Sequence, residues 1–299
     1  MYIIIIPYTF HNSNGFKGEN CCISGYTCKY INQYFSQCIP EASNNASNAS
    51  NTSIINETTA TNTVSASTTP FPQAQKKVIF DEPFVIKSGE TYDGLAIHGA
   101  WTSFGRGVTG QGDCKNIEGL TSDAVFVLET GATLKNVILG ADSIEHVHCI
   151  GDECHVENVW WDDVCEDALS ILGSDNPNAK FYLTGGGARE GSDKIVQHNS
   201  AGTVYIKDFI VRNSGKLYRS CGNCIQGYQG QRNVVVENVN ASSVKVLVGI
   251  NVNYGDSATL ININTNGGKV CNTFIGNNDN SEPTKIGYQC NGETNCICK

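Results

Sequence analysis

Two sets of residues in this chain have the types and spacing to do chemistry, and they carry opposite charges. Carboxylates come first, at Glu145 and then at Asp162, Asp163, Glu166 and Asp167. Such a group either gathers a hard cation, which prefers oxygen ligands, or is a set of solvated turn acids. Cations follow: Lys194 in GSDKIVQHN, then Lys216 and Arg219 in GKLYRS. The chain has 20 Lys and Arg against 29 Asp and Glu, a formal charge of −9. Three cations converging on one groove would steer and hold an anionic ligand while leaving the protein acidic. The overall balance argues against nucleic acid or an anionic membrane surface as partner, because both need a basic footprint.

Adjacent residues in a regular strand point to opposite faces, so Glu166 and Asp167 can share a site only at a turn or bulge. By the same rule Trp160 and Trp161 divide, one to the core and one toward a groove. His148, His155 and His198 have no HExxH or paired spacing and read as packed or hydrogen-bonding residues. The run TGGGA at 184–188 is similar to a phosphate loop but lacks the following Lys-Ser/Thr and helix, so it reads as a tight turn.

The elements that must position these residues are short strands. From Val78 onward, apolar runs such as VFVLETG, ATLKNVILG, CHVENVWWD, GTVYIKDFIV and SATLININ alternate with Gly, Asn and Asp turns. Aligned on Leu134, Val156, Phe181, Val204, Val235 and Leu260, they recur roughly every 22 to 31 residues, a period that solenoids produce. An x-Asn-Val motif recurs with them, at Asn136, Asn158, Asn238 and Asn262, with Asp208 standing in once. Stacked coils would align these into a ladder of bonded side-chain amides. A β-sandwich also has many short strands, but at 8 to 12 residues per strand and without such self-similarity. Charged residues are only 16%, and little helix is expected.

Fourteen cysteines fit an oxidising compartment, since Cys221/Cys224 and Cys296/Cys298 lack the partners of a zinc site. Sequons at Asn45, Asn48, Asn51, Asn56 and Asn240 fit the same secretory route. The start, MYIIIIPYTF, is too short to span a bilayer and has no basic n-region or small-residue cleavage site. Residues 41–76 are a Ser/Thr/Asn-rich stretch that cannot bury enough surface to order itself, and read as a disordered, glycosylated linker.

The segment GFKGENCCISGYTCKYINQYFSQCIP resembles a family 1 carbohydrate-binding module, carried by Gly15-Phe16-x-Gly18, Cys22, Cys28, Cys38 and the closing Tyr34-Phe35. The resemblance implies a small disulfide-rich β module over residues 14–40 that binds cellulose through aromatic rings, with Tyr34 and Phe35 as contacts. The family's opening cysteine and glycines are absent, so residues 1–13 are expected to be a non-native or degenerate start.

From residue 77 to 299 the chain resembles the family 3 polysaccharide lyases, which are pectate lyases. HCIGDECHVENVWWDDVCEDALSI, GGGAREGSDKIVQHNSAGTVYIKDF and GKLYRSCGNC carry that resemblance. It implies a right-handed parallel β-helix and a secreted, calcium-dependent enzyme that cleaves polygalacturonate or low-ester pectin by β-elimination. Carried over motif by motif, Glu145, Glu166 and Asp167 are the Ca2+ candidates, and His148 braces their loop. Lys194 is the expected base, its pKa lowered by neighbouring cations and calcium; Arg219 clamps the substrate carboxylate and is the alternative base, and Lys216 binds substrate. His146 departs from the glycine common there. Cys149, Cys154, Cys165, Cys221 and Cys224 are expected to staple the site loops. The competing readings are a non-catalytic wall-binding protein and a β-helix polygalacturonase using Asp162 and Asp163. A monomer is the default expectation.

Overall fold

The computed structural model describes residues 26–32, 35–40, 70–108, 119–225, 227–288, 290 and 295–299. The chain divides into two units, Met1–Thr63 and Val64–Lys299. In the first, strands Tyr26–Asn32 and Phe35–Pro40 pair antiparallel, with Cys28 opposite Cys38. The expectations placed on Tyr34, on the side chain of Phe35, on residues 1–13 and on most of the linker lie outside the described residues.

The second unit is a parallel β-solenoid of about 7 turns, each coil contributing to as many as three sheets. One sheet stacks Phe84–Ile86, Phe126–Leu128, Val147–Cys149, Leu169–Ile171 and Lys194–His198, then the last part of Ile210–Ser220. It continues through the last part of Arg232–Asn251 to Lys269–Ile275. The second sheet runs from Thr91–Asp93 through Ala132–Lys135 and the first half of Glu153–Trp161 to Ser257–Asn264 and Cys296–Cys298. Lys76–Ile79, Thr102–Gly105 and Ile138–Leu139 begin the third, which continues through Trp160–Trp161 and Gly187–Arg189. Among the described residues the α-helix is limited to Gly94–His98, where the Asp93 side chain accepts from the Ala96 N–H and left-handed Gly99 ends the turn.

Leu134, Val156, Leu183, Ile206, Val236 and Leu260 stack in one inward column, each at most 1% exposed. Each such side chain contributes about 1.5–3 kcal/mol by leaving water. Phe181 and Val204 pair with each other as their apolar runs suggested, but two residues before this column, and Val235 pairs with Tyr205 one residue before it. Val156 pairs with Leu183 instead, because it is the distance to the corner, two residues in every coil, that keeps the column in register.

The corners set the register. Asn136, Asn158, Asp208, Asn238 and Asn262 all adopt positive φ, which Asn and Asp tolerate better than other non-glycine residues. Asn158 donates to Asn136 at 2.8 Å, Asn238 to Asp208 at 2.9 Å and Asn262 to Asn238 at 2.8 Å. The ladder therefore forms, with a gap at Gly185, where TGGGA makes the corner. A Cβ on Gly186 would lie 2.0 Å from the Val159 carbonyl oxygen, so the coils can close there only over glycine.

Disulfides link Cys149–Cys154, Cys221–Cys224, Cys271–Cys296 and Cys290–Cys298, and Cys165 is also disulfide-bonded. Trp161 is fully buried in the core. Trp160 faces outward, but not into a groove: Phe71 covers it edge-on at 4.9 Å. Phe71 lies in the stretch that composition assigned to the linker, yet it is buried, with the guanidinium groups of Arg189 and Arg212 over its ring.

Candidate active site

The corner from the third sheet into the first carries both charged sets. Glu145 precedes the strand Val147–Cys149, and Glu166 and Asp167 precede Leu169–Ile171 in a bend rather than a strand. That bend lets the two adjacent carboxylates reach one point, as their shared motif requires. Lys194 opens the next strand of the same sheet, in register with Lys216 one coil on; Gln197 is in register with Arg219.

Lys194 Nζ stands 3.6 Å from Glu166 Oε1, 3.6 Å from Asp167 Oδ1 and 2.9 Å from Asp193 Oδ2. The same Asp193 carboxylate accepts from Lys216 at 2.7 Å. Sequence reasoning passed over Asp193, although it sits inside the GSDK motif; its bridging role exists only once the coils stack Lys216 beside Lys194. Burial pushes the Asp193 carboxyl upward, but the two lysines outweigh it and bring it down to about 2.

The surroundings of Lys194 are acidic rather than cationic. Burial favours its neutral form, yet Asp167, Asp193 and Glu166 together raise its pKa above the usual lysine value. Asp167 is pushed well up by burial, and Glu145, Glu166 and Asp193 add to that against Lys194. The two shifts differ in origin: neighbouring acids raise Lys194 against its burial, whereas burial is the main cause of the rise at Asp167.

Asp167 Oδ1 is buried and has no hydrogen-bond partner, its one charge contact being Lys194 at 3.6 Å; proteins rarely keep a buried carboxylate oxygen without a hydrogen bond. Glu145 is also buried, its Oε2 3.1 Å from His148 Nε2, while His148 Nδ1 reaches Thr121 Oγ1 at 3.3 Å. His146 is fully buried and bridges backbone, 3.1 Å from the Gly140 carbonyl and 3.3 Å from that of Asp167. Among the described residues, no three acidic, histidine or cysteine side chains stand close enough to ligate one ion as they are. The hard oxygen donors and the orphaned Asp167 oxygen nevertheless fit a divalent cation such as Ca2+, and in the chain alone Lys194 supplies the charge.

Arg219 is boxed in. Its Nη1 donates to Asn251 Oδ1 at 2.9 Å, its guanidinium lies 4.1 Å from the Phe274 ring centre, and a Cβ on Gly222 would stand 2.4 Å from Nη2. Burial brings it down to about 10, against the opposing pull of Asp256, Tyr218, Glu282 and Asp193. Asn251 is locked in turn, donating to Ser220 Oγ at 2.9 Å and to the Cys221 carbonyl at 3.0 Å. Of the remaining histidines, His155 stacks on Tyr182 and His198 bonds Tyr218. Asp162 is held by Arg189 at 2.9 Å.

A family model described as pectate lyase matches residues 68–281, and one described as fungal cellulose binding domain matches residues 12–35. A probable pectate lyase D of Aspergillus fumigatus is 47% identical over 219 residues, covering 73% of this chain and 85% of that protein. Pectate lyase E of Emericella nidulans is 50% identical over 218 residues, 72% of this chain and 79% of its own. Among solved structures, the catalytic domain of pectate lyase PelI from Erwinia chrysanthemi superposes with a TM-score of 0.57 at 27% identity, covering 74% of this chain and 96% of that one. The same enzyme in complex with tetragalacturonic acid gives 0.58 at 27%, covering 73% and 68%.

Proposed function

The chain belongs to the pectate lyase family, and from that premise we propose calcium-dependent β-elimination on polygalacturonate and low-ester pectin at the corner of Asp167 and Lys194. The observation that carries this reading is the buried, unbonded Asp167 Oδ1 facing the Lys194 ammonium. Elimination takes the proton at C5 of a galacturonate and expels the glycosidic oxygen from C4, leaving a 4,5-unsaturated product. The C5 proton is weakly acidic, so the adjacent carboxylate must be neutralised and a base placed beside the carbon. Glu145, Glu166 and Asp167 would hold Ca2+, which would supply that neutralising charge.

Lys194 Nζ takes the C5 proton. To do so it must be neutral, and two of the three acids that raise its pKa are the proposed cation ligands. Once Asp167 and Glu166 are engaged elsewhere, Asp193 remains and burial, which favours the neutral amine, gains weight. Arg219, oriented by Asn251 and Phe274, clamps the substrate carboxylate, and Lys216 binds substrate beside it. Arg219 is the alternative base, because burial has already lowered it to about 10. A hydrolase built on Asp162 and Asp163 is disfavoured, since Arg189 ties down Asp162. The disulfides support secretion, and the match at 12–35 supports cellulose binding.

Absorbance of unsaturated product from polygalacturonate, with calcium and then with chelator, tests the reaction class. The expected result is product with calcium and none with chelator. Reducing ends without ultraviolet absorbance would instead mean hydrolysis, and no product at all a binding protein.

A further inference from the structure

Behind Arg219 lies a buried polar network that the proposed chemistry does not use. At its centre is Asp256, fully buried where the short turn Val252–Tyr254 and left-handed Gly255 lead into the strand Ser257–Asn264. A buried carboxylate is costly unless its oxygens are bonded, and here both are. Asp256 Oδ1 accepts from the Arg232 backbone N–H at 2.9 Å; Oδ2 accepts from the Asn251 N–H at 2.8 Å and from the Ser220 hydroxyl. The Arg232 guanidinium, also fully buried, donates to the carbonyls of Asn199, Ser200, Cys221 and Tyr228 and to Gln229 Oε1. These acceptors take all of its N–H donors. The side-chain bonds of Asp256 therefore point the other way, to Ser220 and Asn251, which stand beside Arg219.

Those bonds decide which way the Asn251 amide faces. The Ser220 hydroxyl gives its one hydrogen to Asp256, so toward Asn251 it can only accept. Asn251 Nδ2 lies 2.9 Å from that hydroxyl, 3.0 Å from the Cys221 carbonyl, and 3.3 Å from both the Ser220 carbonyl and Asp256 Oδ2. Acceptors surround the amide nitrogen, and an oxygen turned into its place would face them all. Oδ1 is thereby committed to the other side, where it accepts from Arg219 Nη1 at 2.9 Å. A flipped amide would set a donor against the guanidinium. Charge acts in the same direction: burial disfavours the cation at Arg219, and Asp256 gives the largest opposing pull. Coil stacking makes the arrangement, since Arg219 is in register with Gly249, two residues before Asn251.

We propose that Asp256 is a positioning residue for Arg219: its carboxylate fixes the Asn251 amide, through Ser220 and the backbone, and so aims the guanidinium at the substrate carboxylate. The proposal rests on the role given above to Arg219. Asp256 itself touches no substrate.

The test is calorimetric binding of polygalacturonate at saturating calcium to the Lys194→Ala chain, whose turnover is expected to be slow. Adding Asp256→Ala should weaken binding about tenfold, the scale of a hydrogen bond to a charged group. Asp256→Asn keeps the volume but removes the charge and can accept on one side only, and should weaken binding about threefold. It carries the test if the alanine variant does not fold. Both losses should shrink below about twofold once Arg219→Ala is also present, because the network then has nothing to aim. Parental binding by either folded variant overturns the proposal. Losses of equal size with and without Arg219 overturn it too, by marking a general loosening of the fold, as do losses that follow weakened calcium affinity. If Lys194→Ala cleaves at the wild-type rate, the base assignment fails and the same cycle is read in kcat/KM. A wild type that binds but forms no unsaturated product defeats the lyase reading alone and leaves the binding cycle to decide this one.

Discussion

Lys194 Nζ lies 3.6 Å from Asp167 Oδ1, close enough for charge attraction and too far for a hydrogen bond, so that buried oxygen stays unsatisfied. An ammonium and a bound cation would compete for the same carboxylate. Asp167→Asn removes the charge with little change in shape. Calcium affinity, measured by calorimetry, should fall at least about tenfold, the lower end of the loss seen even for residues that only support ligands. Affinity equal to wild type would remove Asp167 from the proposed site.

His148 supports Glu145 rather than competing with it, through Nε2 to Glu145 Oε2 and Nδ1 to Thr121 Oγ1. His148→Ala should weaken calcium binding by about 10–100-fold, as losses of such supporting partners do. Glu145→Gln should do the same, and the double variant little more, since the two act as a unit. Additive losses would show that His148 acts elsewhere.

The corner ladder and the strand repeat were legible in the sequence because Asn136, Asn158, Asp208, Asn238 and Asn262 mark positions where the backbone needs positive φ, and composition alone signals that need. The placement of Glu166 and Asp167 in a bend beside Lys194 was legible through their motif. Asp193 was not, since one acid beside a lysine has no signature until coil stacking brings Lys216 to it. Nor was the acidic setting of Lys194, because residues distant in the chain supply it. Phe71 reads as linker since its neighbours are Pro, Thr and Ser; its burial depends on Trp160, Arg189 and Arg212, which only the fold brings to it.

Phe71 gives that point a measurable form. It packs on Trp160 and beneath two guanidinium groups, so Phe71→Ala should cost about 3 kcal/mol, the low end for truncating a buried phenylalanine. Denaturant unfolding of the full chain reads this directly. A change below about 0.5 kcal/mol, typical of surface positions, would mean that Phe71 does not anchor to the solenoid.

His198 sets a pH dependence. Fully buried, with Nδ1 2.8 Å from Tyr218 Oη and Nε2 3.3 Å from the Ala201 carbonyl, it is lowered by burial and by Arg232 from 6.5 to about 3. The unfolded chain therefore binds a proton that the folded chain refuses between those values. Stability from this group is complete above pH 6.5 and is lost as pH falls toward 3, at up to about 1.4 kcal/mol per pH unit. Raised Asp167 works in the opposite sense in calcium-free protein, so the test is the difference between wild type and His198→Gln. That difference should grow with pH across this window, and a constant difference would refute the assignment.

The central claim is that Lys194 carries the proton in elimination while Asp167 and its neighbours hold the cation. The most direct measurement is the initial rate of unsaturated product formed by Lys194→Ala at saturating calcium and substrate, with calcium affinity measured on the same sample. The rate should fall by about 10²–10⁴-fold, the usual contribution of a positioned base, while calcium binds at least as tightly because no ammonium competes for Asp167 and Glu166. A full rate, or a lost rate explained by lost calcium binding, would contradict the claim, and an inactive Arg219→Ala beside an active Lys194→Ala would move the base to Arg219.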